Sequence, residues 1–74
     1  MMEFTEVEQV LLGLLRLSNV RKAMRAVILL LLKKEDQKIE LCEYLLEHEE
    51  ATEMEIYEHA TLIAGRNQAP EYES

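Results

Sequence analysis

The chain has 74 residues, of which 49% are hydrophobic and 31% charged, and its formal net charge at pH 7 is −7. This length forms one domain, and the apolar fraction argues against disorder of the whole chain. A single cysteine, Cys42, excludes an intrachain disulfide, and no cluster of cysteine and histidine indicates a structural zinc site.

A domain this small hides only about 60% of its unfolded surface, and it commonly gains stability from disulfides, metals or self-association. Since the sequence supports neither of the first two, we expect a homo-oligomer, most simply a homodimer. The acidic N-terminus lacks the basic region of a signal peptide, and the longest apolar run, residues 26–32, is too short to span a membrane. These features favour a cytoplasmic protein without membrane attachment.

The first predicted helix covers residues 6–17. Thr5 and Glu8 have the spacing of a capping box, in which each side chain accepts a hydrogen bond from the other residue's backbone N–H. Gly13 lies inside this helix, where glycine costs roughly 1 kcal/mol relative to alanine. Either a neighbouring helix approaches closely at Gly13, or the helix simply tolerates it.

The second predicted helix covers residues 20–34, after a turn at Ser18 and Asn19. Its centre, residues 26–32, consists of seven consecutive apolar side chains. A helix that is apolar all round has no face for water, so we expect this run to be buried at the centre of the domain, completed by a second copy of the chain. Lys33 and Lys34 would close the helix at the negative end of its dipole.

The third predicted helix covers residues 37–49, with Asp36 as its N-cap. Its expected inner stripe consists of Ile39, Cys42, Leu45 and Leu46. Because neither glycine nor proline separates this helix from the second one, a single long bent helix is the alternative.

The fourth predicted helix covers residues 53–64, with a second capping box at Thr52 and Glu55 and with Gly65 as the C′ residue. Residues 67–74 are polar, contain Pro70, and are expected to form a flexible C-terminal tail. No segment has the alternating pattern of a strand. We therefore predict an all-α, four-helix bundle-like domain with short connections, spanning residues 1–66.

Apolar residues of the first two helices are the expected core or self-association interface. The contact should involve helix 1 and the 29–32 end of helix 2. The residues assigned to this core or interface are Val10, Leu11, Leu14, Leu15, Val27, Ile28 and Leu31.

Charge is unevenly distributed along the chain. Residues 1–15 carry −3, residues 16–38 carry +5 and residues 39–74 carry −9. The expected partners of this basic belt are the chain's own acidic helices, in the same or a neighbouring subunit. The alternative is an external polyanion such as nucleic acid, which the acidic remainder of the chain would repel at long range.

No residue pattern points to catalysis, a cofactor or a bound metal. His59 lies four residues after Glu55 and His48 four after Tyr44, spacings that can supply metal ligands in a bundle, but we expect Glu55 and His59 to face water. Cys42 falls on the apolar stripe of helix 3, where a thiol packs as a small hydrophobe. We therefore expect a protein that is not an enzyme.

Two functions are consistent with these features. The first is a self-associating protein–protein interaction module of an accessory or regulatory kind, with a protein partner that the sequence does not identify. The alternative is a DNA-binding transcriptional regulator resembling the helix-turn-helix plan in helices 3 and 4. The acidic start of helix 4 argues against base readout there, so this alternative depends more on the basic start of helix 2. The candidate nucleic-acid contacts are Arg16, Arg21, Lys22 and Arg25.

Overall fold

Four α-helices make up the fold in the computed structural model, which describes residues 4–66. They are α1 (Glu6–Leu17), α2 (Lys22–Leu31), α3 (Glu35–Glu47) and α4 (Glu53–Arg66), and no strand occurs within these residues. The predicted all-α, four-helix domain with short connections is confirmed. The expected flexible tail, residues 67–74, lies outside the described residues.

The helices occupy the four corners of the domain in the order α1, α3, α4, α2. The contact of α1 with α3 is the most extensive, α4 packs on both α3 and α2, and α1 also packs on α2. Although only three residues join them, α2 and α3 make little contact. The α1–α2 pair and the α3–α4 pair therefore form opposite sides of the domain.

All four helices and two of their connections supply the hydrophobic core. Val20 and Leu32, which lie just outside α2, are buried with residues from the helices. The buried hydrophobic residues are Leu11, Leu15, Val20, Ile28, Leu32, Leu41, Cys42, Leu45, Ile56, Ala60, Ile63 and Ala64.

The capping box predicted for α1 is confirmed. The Thr5 hydroxyl accepts from the Glu8 N–H at 3.2 Å, and Glu8 Oε1 accepts from the Thr5 N–H at 2.9 Å. The other oxygen, Oε2, lies 2.7 Å from Lys38 Nζ in α3. One carboxylate thus both begins α1 and ties it to its main packing partner.

The end of α1 is a Schellman motif built on Asn19. This residue has φ 65°, the left-handed conformation that asparagine tolerates better than most residues. The Asn19 N–H donates to the Arg16 carbonyl and the Val20 N–H to the Leu15 carbonyl, both at 3.0 Å. The motif turns the chain so that Val20 enters the core against Leu15.

The second helix is shorter than predicted, spanning residues 22–31 and not 20–34. At its start Arg21 is extended, with φ −67° and ψ 154°, because Val20 is held by the preceding motif. At its end Leu32 leaves the helix with φ −94° and ψ 96° and is fully buried. Lys33 and Lys34 therefore lie in the connection, and α2 and α3 are separate helices.

The apolar run of residues 26–32 is not enclosed on all sides within one chain. Ile28 and Leu32 are fully buried and Leu29 is half-buried, but Val27 and Leu30 are exposed. The reason is that α1 and α4 cover one side of α2 only. Completion of its burial by a second copy of the chain stays a prediction. The expectation that α2 is the central element is wrong, because the contact of α1 with α3 is the most extensive.

The third helix begins two residues earlier than predicted, at Glu35, and the face that it turns toward the core differs from the predicted face. Its N-cap is Lys34 and not Asp36, and Gln37 Oε1 accepts from the Lys34 N–H at 3.0 Å. Gln37 is therefore buried, which places Leu41 and Leu45, at steps of four, on the inner face.

This difference corrects the predicted stripe of α3. Cys42 and Leu45 are buried as expected, but Ile39 and Leu46 are exposed. Leu41, which is not in the predicted stripe, is fully buried, and so is the polar residue Gln37 that the spacing of apolar residues does not indicate.

The second capping box is confirmed at the start of α4. The Thr52 hydroxyl accepts from the Glu55 N–H at 3.2 Å, and Glu55 Oε1 accepts from the Thr52 N–H at 2.9 Å. The helix continues through Gly65 to Arg66, and Gly65 has no positive φ. The prediction of Gly65 as a left-handed C′ residue is therefore wrong.

Candidate functional site

A groove of about 850 Å³ runs between α1 and α2 and is the candidate functional site, named here the α1–α2 groove. Its lining is mainly apolar and includes three cationic side chains. The lining residues are Phe4, Glu8, Gln9, Leu12, Gly13, Arg16, Lys22, Arg25, Ala26, Leu29 and Leu30.

Helical spacing explains why the α2 residues share this surface. Lys22, Ala26 and Leu30 follow one another at steps of four, which places them on one face of the helix. Leu30 is 74% exposed although it lies in the middle of the apolar run. This face of α2 therefore presents a leucine and a lysine together to solvent.

Gly13 has no side chain and leaves the α1 side of the groove open. A Cβ built on this residue would meet nothing within 4 Å, so no neighbouring helix of the chain approaches it closely. The interpretation that Gly13 admits a packed helix within the domain is wrong. Its position instead leaves open space in the groove.

Three of the four cations considered as nucleic-acid contacts line the groove, and the fourth is engaged elsewhere. Arg16, Lys22 and Arg25 are lining residues, with Arg25 Nη1 also donating to the Val20 carbonyl at 2.9 Å. Arg21 is held by Glu53 of α4, which accepts from its backbone N–H and its Nε at 3.1 and 3.2 Å. These contacts raise the pKa of Arg21 and lower that of Glu53, mainly through the side-chain hydrogen bond.

The cations of the basic belt thus fall into two groups, those that form ion pairs among residues 4–66 and those that do not take part in such pairs. Lys38 and Arg21 pair with glutamates of the same chain, as expected for the belt. The Lys38 hydrogen bond is also the main reason that the pKa of Glu8 is lowered. Of the other five cations, Arg16, Lys22 and Arg25 line the groove, whereas Lys33 and Lys34 lie outside it.

The residues predicted to form a core or interface are distributed over both environments. Leu11, Leu15 and Ile28 are fully buried, and Leu14 and Leu31 are partly buried against the core. Val10 and Val27 are exposed. Leu30 belongs to the 29–32 end of helix 2 that was expected to make the contact, but it was not among the named residues, and neither were Phe4 and Leu12. The step-of-four spacing of Leu30 with Lys22 is the signal that places Leu30 in the groove.

The opposite side of the domain carries a second concavity of about 840 Å³, between the end of α3 and the middle of α4. Here the Tyr44 ring is stacked between two imidazoles, with ring centroids 4.3 Å from His48 and 3.9 Å from His59. Besides these rings and Ala51, the lining consists of the leucines and glutamates Leu46, Leu62, Glu47, Glu49, Glu50, Glu55 and Glu58. This surface is named here the α3–α4 acidic face.

The side chains considered for metal binding are used structurally. His59 stacks on Tyr44, and Glu55 closes the capping box of α4. Within residues 4–66 no group of three or more histidine, cysteine or acidic side chains is arranged to hold a metal ion.

The Cys42 thiol is enclosed in the core. Burial raises its pKa, and the neighbouring charge of Glu43 raises it further. A raised pKa lowers the fraction of reactive thiolate at neutral pH.

None of the helices in the described part of the chain is long and apolar enough to cross a membrane. No protein-family model matches the sequence, and comparisons with curated proteins and with solved structures find no similar protein.

Proposed function

We propose that this chain is a non-enzymatic protein–protein interaction module of an accessory or regulatory kind, that it self-associates, and that the α1–α2 groove is its contact surface. The observation that carries this proposal is the combination of a mainly apolar lining with three cations, on a chain whose net charge is −7. Such a surface suits an acidic helical segment that presents apolar side chains.

The apolar lining is the source of binding free energy. Transfer of a leucine side chain from water into a fully buried site contributes about 1.5–3 kcal/mol, and Leu30, at 74% exposure, has most of that gain still available. A few such anchors commonly dominate an interface.

The three cations of the groove would orient the partner and accelerate its approach. Charge complementarity acts mainly on the association rate and on specificity, so these cations select acidic over basic partners.

Self-association is tested by sedimentation equilibrium of the wild type and of the variant Leu30→Asp. The wild type should show a mass that rises above that of one chain with concentration, whereas Leu30→Asp should remain at the mass of one chain. Met54→Asp is the matched control, because Met54 is also exposed but lies outside the groove. A wild type that keeps the mass of one chain throughout would contradict self-association.

DNA binding is the second candidate function, and the convergence of Arg16, Lys22 and Arg25 on one groove is the observation in its favour. The first turn of α4, the recognition helix in a helix-turn-helix reading, carries Glu53 and Glu55 and would repel phosphates. Titration of labelled duplex DNA at low and high salt tests it. A salt-dependent shift that Lys22→Glu abolishes would favour the DNA-binding function over the protein-binding one.

A further inference from the structure

The two concave surfaces of the domain are complementary to each other, and we infer that the chain self-associates head to tail, with the α3–α4 acidic face of one copy docked in the α1–α2 groove of the next. This inference rests on the proposed function and names the occupant of the groove as a second copy of the chain. Nucleic acid in the groove is the alternative, which the titration of labelled duplex DNA with the wild type and Lys22→Glu separates from it.

Charge is the first argument. The groove is lined by Arg16, Lys22 and Arg25 and by one carboxylate, Glu8, which pairs with Lys38, whereas five glutamates line the acidic face. Two grooves brought together by a two-fold axis would place cations against cations, and like charges in an interface are unfavourable. The pairing of groove with acidic face brings opposite charges together.

Exposed apolar side chains are the second argument. Leu46 and Leu62 on the acidic face are 61% and 66% exposed, and Leu30 in the groove is 74% exposed. Each surface thus offers at least one exposed leucine beside charged side chains, predominantly cationic in the groove and anionic on the acidic face. This is the anatomy of an interface, with an apolar centre and a polar rim.

The placement of the two surfaces is the third argument. Because α1–α2 and α3–α4 are opposite sides of the domain, a copy docked through its acidic face still presents its own groove on the far side. A contact between different surfaces can repeat, giving a ring if the rotation closes and an open filament if it does not.

The decisive experiment uses two variants that each disable one surface. Lys22→Gln with Leu30→Gln disables the groove, and Glu58→Gln with Leu62→Gln disables the acidic face. Glutamine removes both charge and apolar contact without creating a new charge pair, and it is a good helix former.

We expect each double variant to weaken self-association about 100-fold, a factor of about ten for each substitution. In sedimentation at concentrations where the wild type associates, each variant alone should have the mass of one chain. An equimolar mixture should form a complex of two chains and no larger species, because the intact acidic face of one variant fits the intact groove of the other.

Matched controls carry the same kind of change outside both surfaces. Leu17→Gln with Lys33→Gln controls for the groove variant, and Glu35→Gln with Met54→Gln controls for the face variant; all four residues are exposed and line neither surface. Both controls should associate like the wild type. Circular dichroism checks helicity, and if a double variant loses it, the single variants Leu30→Gln and Leu62→Gln replace it.

The outcomes separate this inference from the proposed function. If the groove variant stays at one chain while the face variant associates like the wild type, two grooves meet, so the head-to-tail contact is overturned but self-association through the groove stands. A mixture that remains at the mass of one chain also overturns the head-to-tail contact. If the wild type itself never exceeds one chain, both proposals fail.

Discussion

Truncating Ile28 and Leu30 to alanine should have very different effects, although the two residues lie two positions apart in the same apolar run. Ile28 is fully buried between the helices, and loss of a buried isoleucine costs about 2–5 kcal/mol through lost transfer free energy and the cavity left behind. Leu30 is 74% exposed, so its truncation removes little burial and should change the free energy of unfolding by about 0.5 kcal/mol or less.

The cost expected for Ile28→Ala is large relative to the free energy of unfolding of the whole domain. At about 0.05–0.15 kcal/mol per residue, a chain of 74 residues has a free energy of unfolding of about 4–11 kcal/mol. Ile28→Ala should therefore shift the urea midpoint strongly or unfold the domain, and Ile28→Val, at about 0.5–1.5 kcal/mol, gives a milder measurement of the same site.

Urea titration followed by circular dichroism at 222 nm measures both costs, with the slope of the transition as a check that the unfolding mechanism is unchanged. Measurements at low protein concentration isolate the single chain. At higher concentration the wild type should gain stability from association while Leu30→Ala gains less. Equal costs for Ile28→Ala and Leu30→Ala at low concentration would refute the one-sided burial of α2.

Further predictions concern the backbone, a pH-dependent contact and the thiol. Asn19→Gly should raise the free energy of unfolding and Asn19→Ala should lower it by about 1 kcal/mol, because a residue at φ 65° is strained when it has an ordinary side chain; thermal unfolding measures both. Gly13→Ala should stabilise the domain by about 1 kcal/mol in the same assay, since the added Cβ meets nothing within 4 Å. Because Lys38 lowers the pKa of Glu8, that contact should stabilise the fold at neutral pH and lose its effect as pH falls below about 4.5, so wild type and Glu8→Gln should differ in stability at pH 7 and converge in acid. Cys42 should react with iodoacetamide much more slowly in the folded protein than in urea; equal rates would show that the thiol is accessible.

Local signals in the sequence determined the class of fold and the starts of α1 and α4. Both threonine–glutamate capping boxes form as predicted because they need only residues three positions apart. The pattern of apolar residues at steps of three and four likewise predicted four helices without strands.

Only the tertiary structure decided which faces of the helices are covered. The ends of α2 depend on Val20 and Leu32 leaving the helix to enter the core, and the inner face of α3 depends on Gln37 being buried to cap its own helix. The burial of Val20 and Leu32 depends on neighbours distant in sequence, which periodicity within one helix does not contain. The contact of Gln37 with Lys34 is local, but the spacing of apolar residues does not indicate that a polar side chain lies on the inner face.

For the candidate site, too, the sequence indicated some features and the structure was needed for others. The sequence placed Arg16, Lys22 and Arg25 in one basic belt, but it did not tell them from Arg21, which Glu53 engages from 32 positions away. It also could not show that Leu30 of the apolar run faces solvent, because that follows from α1 and α4 covering only one side of α2. The basic and apolar character of the groove could therefore be predicted from the sequence. Its existence as an open surface is a consequence of how the four helices pack.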